Sequence, residues 1–92
     1  MTNAEILTMT KANLEIIPEN TLQDAYLAQL VTAAQQMITR EGVTLTNSIE
    51  DGSLVAMYAA YLYRKRAEDN PVMPRMLRWA LNNRVFAEKV AT

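Results

Sequence analysis

The feature that most restricts this chain is the run Leu54-Val55-Ala56-Met57-Tyr58-Ala59-Ala60-Tyr61-Leu62-Tyr63, its longest apolar stretch and one without a charge. Val55 is its one β-branched residue, so intrinsic preference favours a helix over a buried strand. A membrane crossing takes about 20 apolar residues, and this run stops at Arg64-Lys65-Arg66, so a soluble central helix is expected. A helix that is apolar on every side is expected to be buried by its neighbours. Ser48, Glu50 and Asp51 suit its amino end, and Arg64, Lys65 and Arg66 suit the carbonyl end of its dipole. On the helical wheel Leu54, Met57, Tyr58, Tyr61 and Leu62 share one broad face. Ala56, Ala59, Ala60 and Tyr63 share the other, whose small residues invite a close neighbour. The hydroxyls of Tyr58, Tyr61 and Tyr63 need partners or water, which puts at least one tyrosine at the edge of the core or at a subunit contact.

The remaining segments supply the cover. Residues 3–14 predict a short helix capped by Thr2 or Asn3, with Ile6, Leu7, Met9, Ala12 and Leu14 apolar, and Pro18 prevents its continuation. The spacing of Thr21 to Asp24 has the form of a capping box and predicts a second helix from there to Arg40. Its apolar arc comprises Leu22, Tyr26, Leu27, Leu30, Ala33, Ala34, Met37 and Ile38, and Gly42 closes it. Val43-Thr44-Leu45-Thr46 is β-prone but isolated, and predicts a short extended connection able to pair with its counterpart in another subunit. A polar turn over residues 67–72 leads to Pro74, the expected first residue of a last helix running to about Val90. The fold class is therefore all-α, one domain over residues 1–92. It is a small bundle of about four helices, with a buried central helix at about 51–66 and an extended connection near 43–46.

The last helix has an unusual distribution. At about 100 degrees per residue, Arg75, Arg78, Asn82 and Lys89 fall within roughly 60 degrees of one another and form one polar, cationic stripe. Nearly everything else is apolar. Leu77, Leu81 and Val85 occupy one flank, and Trp79 and Phe86 the other. This arc is wider than one small core needs, so Trp79 and Phe86 either cap the domain's own core or face a partner.

Composition removes most chemistry. With 92 residues the chain buries only roughly 60 per cent of its unfolded surface and is marginal alone. It has neither Cys nor His, hence no disulfide, no thiolate metal site and no usual general base. Gly42 and Gly52, its two glycines, are far apart and form no phosphate loop, and no run has the alternating acids of a calcium loop. The acid pairs Glu50-Asp51 and Glu68-Asp69 lie at helix ends, where solvated acids are ordinary. No catalysis, cofactor or metal is expected. The opening Met-Thr-Asn-Ala-Glu carries no basic region or long apolar segment, so residence in a cytoplasm is expected.

Net charge is −1 but unevenly placed. Residues 1–53 hold seven acids against two bases, and residues 54–92 hold seven bases against three acids. Chance and dipole matching account for such a split, and so does a head-to-tail contact between the acidic half of one copy and the basic half of the next. The cations of the last helix, beside Arg64-Lys65-Arg66, could touch nucleic-acid phosphates, but a chain of pI near 5.3 lacks the strongly basic footprint of a DNA reader.

Lys11-Ala12-Asn13-Leu14-Glu15-Ile16, Met57-Tyr58-Ala59-Ala60-Tyr61-Leu62-Tyr63-Arg64-Lys65-Arg66 and Met73-Pro74-Arg75-Met76-Leu77-Arg78-Trp79-Ala80-Leu81-Asn82-Asn83-Arg84-Val85-Phe86 together resemble the head-tail connector proteins of tailed bacteriophages and prophages. The resemblance spans most of the chain and is strongest in its last two segments. It implies a structural virion protein, a homo-oligomeric ring of twelve copies assembled in the host bacterial cytoplasm beneath the portal. The ring would bridge the portal to a tail or stopper protein, and packaged DNA would pass through it without being read. It needs no membrane. Candidates for the oligomer or portal interface are Arg64, Lys65, Arg66, Arg75, Arg78, Trp79, Asn82, Phe86 and Lys89. A helical DNA-binding or regulatory interaction module is the alternative, distinguished by salt-sensitive DNA binding or by a monomeric or dimeric state.

Overall fold

The computed structural model describes residues 1–67 and 72–91, and side-chain caps set the starts of the first and third of its four helices. Helix α1 spans Asn3–Asn13. Thr2 closes its amino end: the Thr2 hydroxyl accepts from the Glu5 N–H at 3.2 Å, and the Glu5 carboxylate accepts from the Thr2 N–H at 2.8 Å. At its other end the Ile16 N–H donates to the Lys11 carbonyl at 2.9 Å and the Glu15 N–H to the Ala12 carbonyl at 3.1 Å. This closure puts Glu15 at φ 60, a left-handed position that usually falls to glycine.

Helix α2 spans Asp24–Arg40 and begins later than its sequence predicts. The Thr21–Asp24 capping box does not form; Gln23 sits at the cap without a side-chain hydrogen bond. The Asp24 carboxylate is engaged elsewhere, with its Oδ1 2.9 Å from the ammonium of Lys11. Lys11, itself buried, also donates to the Pro18 carbonyl at 3.0 Å and so pins the α1–α2 connection down. Asn20 accepts from the Leu22 N–H at 3.2 Å and holds Leu22 in a turn. Leu22, expected in the apolar arc, is thereby outside the helix and 89% exposed. The buried stripe of α2 is Leu27, Val31, Ala34 and Ile38, with Leu30, Ala33 and Met37 half-buried at its edges. Gly42, at φ 98, turns the chain out of the helix.

Residues 43–46 belong to no helix or strand, and no strand occurs among the described residues. Helix α3 spans Ile49–Lys65, and the Ser48 hydroxyl caps it by accepting from the Asp51 N–H at 3.1 Å. Helix α4 spans Arg75–Ala91, one residue after Pro74, whose carbonyl accepts from the Arg78 N–H at 3.0 Å. The polar turn expected over residues 67–72 lies, for 68–71, outside the described residues.

Helix α3 touches each of the other three, whereas α4 packs chiefly on α3. The buried face of α3 is the alanine side: Ala56, Ala59 and Ala60 let helices approach closely, with Leu54 and Val55 beside them. Burial is not uniform around or along it, as an all-round apolar helix leads one to expect. Residues 51–56 are buried apart from half-buried Ser53, and Tyr61, Leu62 and Tyr63 emerge half-buried. Tyr58 and Tyr61 meet edge-on at 6.0 Å between ring centres, and Tyr63 lies 6.1 Å from Tyr26. Arg64 reaches the carbonyl of Asn13 and Gln35 reaches Asn3, so α1 and α3 run the same way and α2 runs against them.

Candidate interaction surface on the last helix

Helix α4 has two opposed faces. Leu77 and Leu81 are buried against the bundle, with Arg84 and Val85 half-buried along the same side. About half a turn away on the wheel stand Met76, Trp79, Asn83, Phe86 and Val90, spaced alternately by three and four residues. The four apolar members are between 66 and 72% exposed. Trp79 and Phe86 therefore do not cap the domain's own core.

What fixes this orientation is a cluster that the sequence reading missed. Arg84 Nε donates to Asp51 Oδ1 at 2.7 Å, its Nη2 to the Thr44 carbonyl at 2.9 Å, and its Nη1 to Glu88 Oε2 at 3.3 Å. Glu88 Oε1 in turn accepts from the Thr44 N–H at 2.7 Å. Asp51 Oδ2 accepts from the N–H and hydroxyl of Thr46 at 2.8 and 2.9 Å. Three pieces of chain, the start of α3, residues 44–46 and α4, are thus joined by one guanidinium. Both backbone polar groups of Thr44 are occupied by α4 side chains, so the connection is paired within its own chain at that point rather than left open to a neighbour's strand. The signal for Arg84 was available: on the wheel it falls about 20 degrees from Leu77 and about 60 from Leu81, away from the other cations, and an arginine on an apolar side needs a buried acid.

The electrostatics agree with the geometry. Burial pushes the Asp51 carboxyl up, but hydrogen bonds from Arg84 and then from the Thr46 backbone and hydroxyl together hold it below its ordinary value. Thr44, and after it Arg84, hold Glu88 low as well. The Asp51 hydrogen bond is the main reason that the Arg84 guanidinium is held still more firmly protonated. Asp51 is 2% exposed and fully engaged, which leaves it no reach to a substrate.

The other candidate residues divide between two helices. Arg75, Arg78, Asn82 and Lys89 are exposed along one flank of the outer stripe of α4. Arg64, Lys65 and Arg66 are exposed at the end of α3 and engaged within the chain. Arg64 donates to the Asn13 carbonyl at 2.6 Å, closing the end of α1. The Arg66 guanidinium lies 4.2 Å above the Tyr63 ring and 5.7 Å from that of Tyr26, and the Lys65 ammonium 6.0 Å from Tyr61. Among the described residues no three His, Cys, Asp or Glu side chains cluster as metal ligands, and no helix is long and apolar enough to cross a membrane. Comparison of the chain with protein-family models, with curated proteins and with solved structures gives no match, so the surface is interpreted from its own residues.

Proposed function

We propose that the chain is a structural, non-catalytic subunit of a ring adaptor between the portal and the tail of a tailed bacteriophage or prophage. The observation that carries the reading is the outer stripe of α4, where Met76, Trp79, Phe86 and Val90 stand exposed on one line. Large apolar side chains gathered in this way mark a surface that a partner covers. The resemblance of residues 57–66 and 73–86 to head-tail connectors supports the nature of the assembly: twelve copies, the portal on one side, a tail or stopper protein on the other, and DNA passing unread.

The test is light scattering of the purified chain from micromolar to millimolar concentration, alone and with the portal encoded in the same genome, followed by imaging. Closed rings, free or seated on the portal, are expected. A chain that stays monomeric throughout and leaves the portal bare overturns the proposal. The exposed flank of Arg75, Arg78 and Asn82 favours one second reading, a DNA-binding or regulatory module. That module binds duplex DNA with an affinity that falls steeply with salt, and needs no ring.

A further inference from the structure

Resting on the reading of the chain as a ring subunit, we infer that the outer stripe of α4 seats in the groove between α1 and α2 of a second copy of this chain. Four observations converge on that occupant.

The first is position. Helices α1 and α2 pack on each other and on α3, whereas α4 packs chiefly on α3 with its inner face. The groove and the stripe therefore lie on different parts of a flat molecule measuring 41 × 31 × 18 Å. Two distinct patches are what a head-to-tail contact requires, because a twofold contact uses the same patch twice and ends at a dimer.

The second is shape. The groove is lined by Leu7, Thr8, Lys11 and Ala12 of α1, by Ile16 and Pro18 of the connection and by Asp24 at the start of α2, with a volume of about 230 Å³; the Lys11–Asp24 ion pair neutralises its two charges. A second hollow between α1 and α2, which shares Leu7 with the first, is lined by Ala4, Ala28 and Thr32, which are small and exposed. A groove with small residues along part of its walls and a ridge of Met, Trp, Phe and Val are the two halves of ridge-into-groove packing. The α1–α2 connection adds two further exposed apolar residues beside the groove, Ile17 and Leu22.

The third is charge. Glu5, Glu15 and Glu19 are exposed on α1 and on that same connection, whereas Arg75, Arg78 and Lys89 flank the stripe. The pairing of stripe with groove joins opposite signs. A pairing of α4 with α4 would set the cationic flanks against each other, which argues against the twofold alternative.

The fourth is size. At about 200 Å² per large apolar side chain, the exposed parts of the four stripe residues amount to roughly 500 Å². A stable two-protein interface uses about 800 Å² per partner. One such contact alone is weak, and closure, in which every copy uses both its edges, makes the assembly hold.

The experiment uses the full chain, whose lack of cysteine permits clean crosslinking. Arg78→Glu and Glu19→Arg should each raise the concentration of half-assembly roughly ten-fold, and the double variant should return it close to the parent. Oxidised Ile17→Cys/Met76→Cys should give a ladder beyond dimers, whereas Met76→Cys alone gives none. Thermal melting checks that each variant folds. Assembly that ignores both charge reversals, or that the double variant fails to restore, overturns this interface while leaving the ring intact. A Met76→Cys dimer as the end product shows α4 facing itself and overturns it too. A chain that remains monomeric at millimolar concentration and on the portal removes the ring reading along with it.

Discussion

Arg84 Nε sits 2.7 Å from Asp51 Oδ1, and that one contact decides which way α4 faces. A helix that packs chiefly on one neighbour through Leu77 and Leu81 is otherwise free to roll about its axis. The guanidinium, held at once by Asp51, Thr44 and Glu88, removes that freedom and turns Trp79 and Phe86 outward.

Arg84→Met is expected to destabilise the chain by about 3 kcal/mol, because it leaves the Asp51 carboxylate buried without its counter-charge. For a domain of this size that lowers the melting temperature by roughly 15 °C. Urea unfolding of Arg84→Met and of the double variant Arg84→Met/Asp51→Asn checks the cause: the second change should recover part of the loss. Equal stability of parent and Arg84→Met would show that the cluster contributes nothing to the fold.

The carboxyls of Asp51 and Glu88 are both held below their ordinary values. A carboxyl depressed in the folded state contributes stability that is fully present above its unfolded pKa of about 4. That contribution is lost as pH falls through the lower folded value. The urea midpoint should therefore be flat from pH 7 to about 5 and fall below about 4, and Asp51→Asn should flatten the fall. An unchanged acid slope in Asp51→Asn would assign the acid sensitivity to other groups.

Glu15→Gly is expected to stabilise the chain by about 0.5–1 kcal/mol. The left-handed backbone at φ 60 costs a side chain about 1–2 kcal/mol, part of which the greater freedom of an unfolded glycine offsets. A melting temperature higher by roughly 2–6 °C checks it. A lower one would mean that the Glu15 side chain makes a contact worth more than the strain.

The ends of the helices were legible because their signals are satisfied within a few residues: Thr2 with Glu5, Ser48 with Asp51, Gly42 at its turn, Pro74 ahead of α4. What the sequence concealed is non-local. The α2 start moved because Lys11, on another helix, takes the Asp24 carboxylate that a capping box would have used. The wide apolar arc of α2 did not reveal that Val31 lies at its centre and Leu22 outside it, since that choice belongs to the helices it meets. Likewise α3 touches the three other helices, but it is not buried throughout, and which of its turns are deep depends on how far its neighbours cover it. The exposure of Trp79 follows from Arg84, whose partner lies 33 positions away.

Trp79→Ala separates packing from charge in the proposed assembly. Because the side chain is 66% exposed, its truncation should change the stability of the monomer by no more than about 0.5 kcal/mol. If it seats in a neighbour, the same truncation removes a large apolar contact from the centre of the stripe and costs about 2 kcal/mol or more per contact. Arg78→Ala removes a rim charge, and surface ion pairs contribute only about 0–1 kcal/mol each. Trp79→Ala should accordingly raise the concentration for half-assembly by at least about 30-fold and Arg78→Ala by about five-fold or less. Added salt should slow assembly well before it abolishes it, since charge governs the encounter and apolar contact the persistence. Light scattering and stopped-flow turbidity on folded variants measure both. If Trp79→Ala melts as the parent does and still assembles on the portal at the parent's concentration, the stripe is not the interface.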